Sequence, residues 1–199
     1  MFSEDWVERS QLLSNPHVDL YFLISIKNLD EVPTLVGLNK LEELISVYRS
    51  VISNSNSRGT NFNEIEHEFW VRPRIDDGTG VTKHSFSWYD HLDESSRFLE
   101  WLNDSDAEHE FADMDQGWAF AARKIQDNVH MLEFNPDSNM ELENTFLPHR
   151  VIFPLFSSAF ERANKIVSAL SESVGEDVWS KYRGYEWDTV KFGNGEWEP

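Results

Sequence analysis

Residues 154–175 read PLFSSAFERANKIVSALSESVG, and this stretch carries the clearest helical pattern in the chain. Its apolar residues recur at intervals of three and four, which places them along one face of a helix. They are Phe156, Ala159, Phe160, Ala163, Ile166, Val167, Leu170 and Val174. Proline is tolerated in the first turn of a helix and glycine terminates one, so we predict a helix that begins near Pro154 and ends at Gly175.

Three further elements are predicted upstream of this helix. Residues 20–26 read LYFLISI, an aromatic and aliphatic run without helical spacing, and we expect a strand in the centre of a sheet. Residues 38–52 repeat apolar side chains at three and four, which predicts an amphipathic helix that ends within 53–63. Residues 96–102 are expected to form a short helix.

Alternation of apolar and polar residues predicts the remaining strands. Residues 64–72 read EIEHEFWVR and send Ile65, His67, Phe69 and Val71 to one side, and residues 83–89 are expected to return as the second strand of a hairpin. Residues 116–123 and 128–134 predict another hairpin. At least five strands therefore combine with helices, which predicts an α+β fold with an antiparallel or mixed sheet and helices mainly on one face.

The chain is long enough for one domain with a substantial core. It has 199 residues, 40% of them hydrophobic and 14% aromatic. No linker-like composition interrupts the middle of the chain, so we expect a single domain over residues 1–182, beginning with a short helix in 1–18. Residues 183–199 form an aromatic and acidic tail.

Charge and hydropathy exclude several classes of function. The formal net charge is −19, which would repel a phosphate backbone, so direct nucleic-acid binding is not expected. No apolar run approaches the roughly 18 residues of a membrane span. The first residues are acidic where a secretory signal is basic, and the sequence contains no cysteine. A cytoplasmic protein that does not bind membranes is the simplest interpretation.

Catalytic, cofactor and metal motifs are missing from the sequence. It contains no nucleophile elbow, phosphate-binding loop or complete dinucleotide-binding loop, and its seven histidines do not form a compact ligand pair. The acids between Asp104 and Asp115 lack the glycine and spaced glutamate of a calcium loop. We therefore expect no enzyme, no cofactor and no metal, and we interpret His67 as a core histidine.

Acidic residues concentrate in one segment. Residues 90–115 contain ten Asp or Glu and a single base, Arg97. A second acidic segment holds Glu133, Asp137, Glu141 and Glu143, and the predicted hairpin between the two segments could bring them together. Trp88, Tyr89, Trp101, Phe111 and Trp118 are interspersed with the first segment, and aromatic anchors ringed by charge are typical of protein interfaces.

These observations predict a surface that binds a basic protein, and a merely solvated, solubilising face is the alternative. The candidate partner-binding residues are Asp90, Asp93, Glu94, Asp104, Asp106, Glu108, Glu110, Asp113, Asp115 and Trp118.

The C-terminal two fifths of the chain resemble the immunity proteins of bacterial polymorphic toxin systems, including contact-dependent growth inhibition. The resemblance is carried by Asp115–Phe120 (DQGWAF), His130–Glu133 (HMLE), the helix at 155–174 and Gly175–Trp179 (GEDVW). It implies a small acidic cytosolic α+β protein that binds a cognate toxin domain, often a basic nuclease, and blocks its active site or substrate groove.

Two other functions remain open from the sequence. One is an acidic mimic of nucleic acid that inhibits a DNA- or RNA-processing protein. The other is an enzyme with a diffuse carboxylate site, for instance Glu64, Glu66 and Glu68 along one strand.

Overall fold

The computed structural model describes residues 18–26, 30–87, 89–105, 109–115, 117–138 and 140–181. Its strands form two separate four-stranded antiparallel sheets, and helices precede, separate and follow them. The predicted α+β class is confirmed, and the strands are divided between two sheets instead of forming one. The predicted lead-in helix and the tail at 183–199 lie outside the described residues, apart from Val18.

The first sheet has the strand order β2-β1-β3-β4. Its strands are β1 (Asp19–Ile26), β2 (Asp30–Pro33), β3 (Val71–Asp76) and β4 (Thr82–His84). The predicted central position of β1 is confirmed, because β1 pairs with β2 on one side and β3 on the other.

The second sheet is a simple meander in the order β5-β6-β7-β8. Its strands are β5 (Phe111–Asp115), β6 (Trp118–Ile125), β7 (Asn128–Asn135) and β8 (Met140–Pro148). The predicted hairpin at 116–134 is confirmed by β6 and β7. Strands β5 and β8 were not predicted, because burial does not follow polarity in them: Met114, Met140 and Leu142 are exposed, whereas Thr145 is buried.

The helices agree with the periodic segments of the sequence. They are α1 (Thr34–Gly37), continued by a 3-10 turn (Leu38–Lys40), α2 (Leu41–Ser57), α3 (Phe62–Ile65), continued by a 3-10 turn (Glu66–Glu68), α4 (Leu92–Asn103) and α5 (His149–Val174). The helix predicted within 38–52 is confirmed by α2, and the short helix at 96–102 belongs to the longer α4.

Helix α5 begins five residues before the predicted start, so Pro154 lies inside it. The preceding turn is helical because Ile152 and Phe156, four residues apart, are both fully buried on the same face. Gly175 ends the helix as predicted, with a left-handed φ of 86° and its N–H donated to the carbonyl of Ser171 at 2.8 Å.

The predicted strand at 64–72 is wrong over most of its length. Residues 62–68 form single helical turns, and the strand begins at Val71. Ile65 and Phe69 are both buried, and their spacing of four fits a helical turn as well as it fits alternation. His67 is exposed, so the expectation of a core histidine is wrong. Glu64, Glu66 and Glu68 consequently do not line one strand face.

The return strand of the first hairpin is also shorter than predicted. It ends at His84, because the chain turns away at Phe86, which has a left-handed φ of 47°.

A single hydrophobic cluster joins the two sheets. Its aromatic centre includes Phe22 of β1, Phe98 of α4, Phe120 of β6 and Phe156 of α5. The centre of the Phe156 ring lies 5.8 Å from that of Phe22 and 5.2 Å from that of Phe98. The ring centres of Phe98 and Phe120 are 5.2 Å apart. Helix α5 thus connects β1 to the second sheet. None of the helices in the described ranges is long and apolar enough to cross a membrane.

Candidate partner-binding surface

The predicted acidic residues are spread over α4 and β5. Asp90 precedes α4, Asp93 and Glu94 lie in its first turn, Asp104 follows its end, and Asp113 lies within β5. Glu110 is exposed just before β5, and Asp115 ends that strand. Asp106 and Glu108 lie outside the described residues. Several of the predicted residues have structural partners within the fold.

Asp90 holds the loop before α4 against the first sheet. Its Oδ1 accepts a hydrogen bond from Nε of Arg72 at 2.6 Å, and its backbone carbonyl accepts one from the N–H of Val71 at 2.9 Å. The Arg72 guanidinium in turn lies 4.1 Å from the centre of the Trp70 ring. Because Asp90 is neutralised by an arginine that is itself packed on an aromatic ring, its charge is largely committed inside the fold.

Glu94 and His91 form a cap at the beginning of α4. Oε2 of Glu94 accepts the backbone N–H of His91 at 2.9 Å. The N–H groups of Leu92 and Asp93 donate to the carbonyls of Trp179 and Ser180, which fastens the C-terminal segment to the helix. The acids of this first turn thus have a local role at the positive end of the helix dipole.

The same turn brings three potential metal-ligating side chains together. Ligand atoms of His91, Asp93 and Glu94 all lie within 4.8 Å of one another. Glu94 is already engaged with the backbone of His91, and the positive end of the helix dipole disfavours a bound cation there. The arrangement is accounted for as a helix cap.

Asp113 sits at the rim of the aromatic core. Its Oδ2 lies 3.3 Å from Nη2 of Arg97 on α4. Burial and then the charge of Asp113 raise the pKa of the Tyr89 hydroxyl well above its ordinary value. Asp113 is thus an acid that links β5 to α4.

Lys124 ties the end of α4 to the second sheet. Its Nζ donates to the carbonyl of Trp101 at 2.8 Å and to the carbonyl of Asp104, and it lies 4.9 Å from the centre of the Trp101 ring. Burial lowers the pKa of Lys124, and the nearby charge of Asp104 opposes that shift. This lysine therefore offsets part of the negative charge around Asp104.

The aromatic residues expected at the surface belong to the core. Trp118 is 4% exposed and Trp101 is 5% exposed, while Tyr89 is completely buried. Trp118 packs parallel to Phe120 and edge-on to Tyr89. Trp118 is therefore not a surface anchor, and its assignment to the binding surface is wrong. Trp88 lies outside the described residues.

Asp115, the last residue of the first acidic segment, ends β5 at the same end of the second sheet as the β7–β8 turn, which holds Asp137 of the second segment. A Cβ atom placed on Gly117, in the β5–β6 turn, would lie 3.9 Å from Oδ2 of Asp137, in the β7–β8 turn. Glu141 is paired with Phe134 at the same end, and Asp115 ends β5 there. Asp137 and Glu141 are both exposed. We call this end, defined by Gly117, Asp137 and Glu141, the turn end.

The turn end has little opposing charge along the chain. No Lys or Arg occurs between Arg97 and Arg123 or between Lys124 and Arg150. Asp137 and Glu141 carry like charge, and a partner of opposite sign would be attracted to them.

Glu133 was expected to contribute to the acidic surface, and this expectation is wrong. It is 3% exposed and faces the core from β7. Its Oε1 accepts the backbone N–H groups of Ser85 at 3.1 Å and Phe86 at 3.0 Å, and it lies 3.7 Å from Nδ1 of His84, which is fully buried. This carboxylate joins the segment after β4 to the second sheet.

His130, on the opposite face of β7, is also fully buried. Its Nε2 lies 2.7 Å from Oδ1 of Asn144, and its ring stacks on Phe146 at 4.2 Å between centres. Burial lowers the pKa of His130, while the hydrogen bond with Asn144 opposes the shift. Sequence alternation placed His130 on a strand but could not indicate that its face was covered.

An open cleft of about 500 Å³ lies between α4, α5 and the end of the described chain. Leu92 and Phe160 form its apolar part, and Arg97, Glu100 and Lys181 contribute charges of both signs. This mixture does not select one class of small ligand.

Comparison of the chain with protein-family models, curated proteins and solved structures finds no match. The interpretation of this surface therefore rests on its geometry and charge.

Proposed function

We propose that this protein is an acidic inhibitor that binds a basic toxin domain in the cytoplasm and blocks its active site or substrate groove. The observation that carries the proposal is the exposed pair of acids Asp137 and Glu141 at the turn end, where β5 also ends at Asp115. Such a surface attracts a cationic partner over a distance of about a Debye length, roughly 8–10 Å at physiological salt.

The buried aromatic residues alter how this surface would act. Trp118 and Tyr89 are in the core and cannot act as anchors there, and the turn end presents the exposed charges of Asp137 and Glu141. Charge at the rim of an interface chiefly accelerates association and selects partners of the right sign. We therefore expect fast, salt-sensitive association through the turn end, with steric coverage of the toxin's functional groove as the inhibitory step.

The test compares two variants with the same change in charge. Asp137→Asn/Glu141→Gln removes two charges from the turn end, and Glu161→Gln/Glu172→Gln removes two exposed charges from α5. Each tagged protein is incubated with lysate of its own cells at low salt and eluted with rising salt, and the retained proteins are identified by mass spectrometry. A retained basic protein is then expressed alone and together with each variant.

The proposal predicts one basic partner that is toxic when expressed alone and neutralised by the wild type. The turn-end variant should release it at lower salt and protect less, while the α5 variant should match the wild type. Retention that is equal for both variants would reject the turn end as the binding surface. Retention of many unrelated nucleic-acid-binding proteins would replace the proposal with a nucleic-acid mimic.

A further inference from the structure

The turn that connects β2 to α2 exposes apolar side chains. Leu35 is 52% exposed, Val36 45% and Leu38 41%, and all three lie within α1 and the 3-10 turn that continues it. We call residues 34–38 the apolar turn. Leu35 and Leu38, three residues apart, are neighbours on one helical face. Contiguous exposed apolar side chains with a polar rim are characteristic of protein-binding sites.

The apolar turn is held rigidly from below. Thr34 is fully buried, and its Oγ1 accepts the backbone N–H of Phe22 in β1 at 3.1 Å. Gly37 approaches α5 so closely that a Cβ atom there would lie 2.9 Å from Cδ1 of Ile166. Because the inward-facing residues are fixed, the backbone of the apolar turn is already ordered. Binding a partner there would therefore cost little conformational entropy.

Acidic residues border the apolar turn. Glu31 lies on the edge strand β2, and Glu42 and Glu43 lie in the first turn of α2; all three are exposed. Lys40 is the base among them, 3.8 Å from Glu43 in a largely exposed pair that contributes little. Glu42 and Glu43 follow directly after the 3-10 turn that contains Leu38. The rim is therefore negative.

This charge selects the class of occupant. A second copy of the chain would bring its own acidic rim, and the net charge of −19, against the first. An amphipathic helix with an apolar stripe and flanking Lys or Arg complements both the leucines and the rim. We propose that the apolar turn is a docking surface for a basic amphipathic helix of a partner protein.

The inference deepens the proposed function and rests on it only for the positive charge of the partner. The apolar turn adjoins the first sheet, whereas the turn end belongs to the second, so each surface can be tested without the other.

The test uses two synthetic helical peptides of about 18 residues, or five helical turns, with the same number of lysines. One peptide carries a stripe of leucines, and the other carries alanines in their place. Affinities are measured by fluorescence anisotropy for the wild type, for Leu35→Ser/Leu38→Ser and for Val81→Ser. Val81 is a matched control because it is 54% exposed and lies in the loop before β4.

We expect the wild type to bind the leucine peptide about tenfold more tightly than the alanine peptide, because binding would cover two half-exposed leucines. The preference should fall below about threefold in the Leu35/Leu38 variant and remain in the Val81 variant. An unchanged preference in the Leu35/Leu38 variant, or an equal loss in the Val81 variant, would overturn the inference. Circular dichroism checks that both variants are folded.

Two further measurements separate the alternatives. Asp137→Asn/Glu141→Gln should keep the preference for the leucine peptide, so failure of the turn end leaves this result intact. Sedimentation velocity tests for a second copy at the same surface. A wild-type dimer that is lost in Leu35→Ser/Leu38→Ser would assign the surface to self-association and overturn the inference.

Discussion

Replacing Glu133 with alanine should destabilise the protein by about 3 kcal/mol. The carboxylate accepts two backbone N–H groups, from Ser85 at 3.1 Å and from Phe86 at 3.0 Å. A hydrogen bond to a charged group contributes about 1.5–3 kcal/mol when its partner is buried. The Phe86 bond is buried, so we assign it about 2 kcal/mol, and we assign the partly exposed Ser85 bond about 1 kcal/mol.

Glu143 provides the control because it pairs directly with Glu133 across β7 and β8 and is only partly buried. Both substitutions remove one negative charge, so any relief of overall repulsion is similar in the two variants. Glu143→Ala should change stability by no more than about 0.5 kcal/mol. The assay is urea unfolding followed by tryptophan fluorescence, with both variants and the wild type in the same neutral buffer.

The comparison refutes the reasoning if Glu133→Ala and Glu143→Ala unfold with the same free energy. Domains are stable by only about 5–15 kcal/mol in total, so a loss of about 3 kcal/mol could leave the Glu133→Ala protein unfolded. Glu133→Gln then serves as the second variant, because it keeps an acceptor oxygen and should lose only about 1 kcal/mol.

Two other predictions concern residues whose burial the sequence did not reveal. Trp118→Ala should lower the free energy of unfolding by about 3–5 kcal/mol, measured by urea unfolding, because its ring is part of the core; a loss below about 0.5 kcal/mol would place the ring at the surface instead. His130 should make stability fall as the pH drops through and below about 6.5, because its lowered pKa in the folded state lets the unfolded chain bind the proton first. The stability advantage of wild type over His130→Gln should therefore shrink between pH 7.5 and 5.5, and a constant difference would contradict the burial effect.

Local periodicity identified the elements whose residues repeat over many turns or alternate over a full strand. Helices α2 and α5, the central strand β1 and the β6–β7 hairpin were all predicted. The secondary structure of short segments was harder to predict from residue spacing. Ile65 and Phe69, for example, fit both the alternation of a strand and the spacing of a helix. The start of α5 was misplaced because the packing of Ile152 in the core outweighs the preference of Pro154 for a first turn.

The candidate surface was only partly predictable. The concentration of acids and the possible meeting of two acidic segments follow from composition and from the hairpin between them. The placement of Asp137 beside Gly117 depends on the register of the strands, which the sequence does not state directly. The apolar turn was also missed, because exposure of Leu35 and Leu38 depends on how Thr34 and Gly37 are fixed against β1 and α5.

The sequence by itself determined the α+β class, the strong negative charge and the main periodic elements, because these depend on residue type and on spacing within one segment. The tertiary structure alone decided which face of each segment is covered. Glu133 and Glu141 have the same side chain and lie on adjacent strands, yet one is a buried acceptor and the other an exposed charge. Trp118 likewise lies among acids in sequence but packs in the core, because burial is set by contacts between segments distant in the chain.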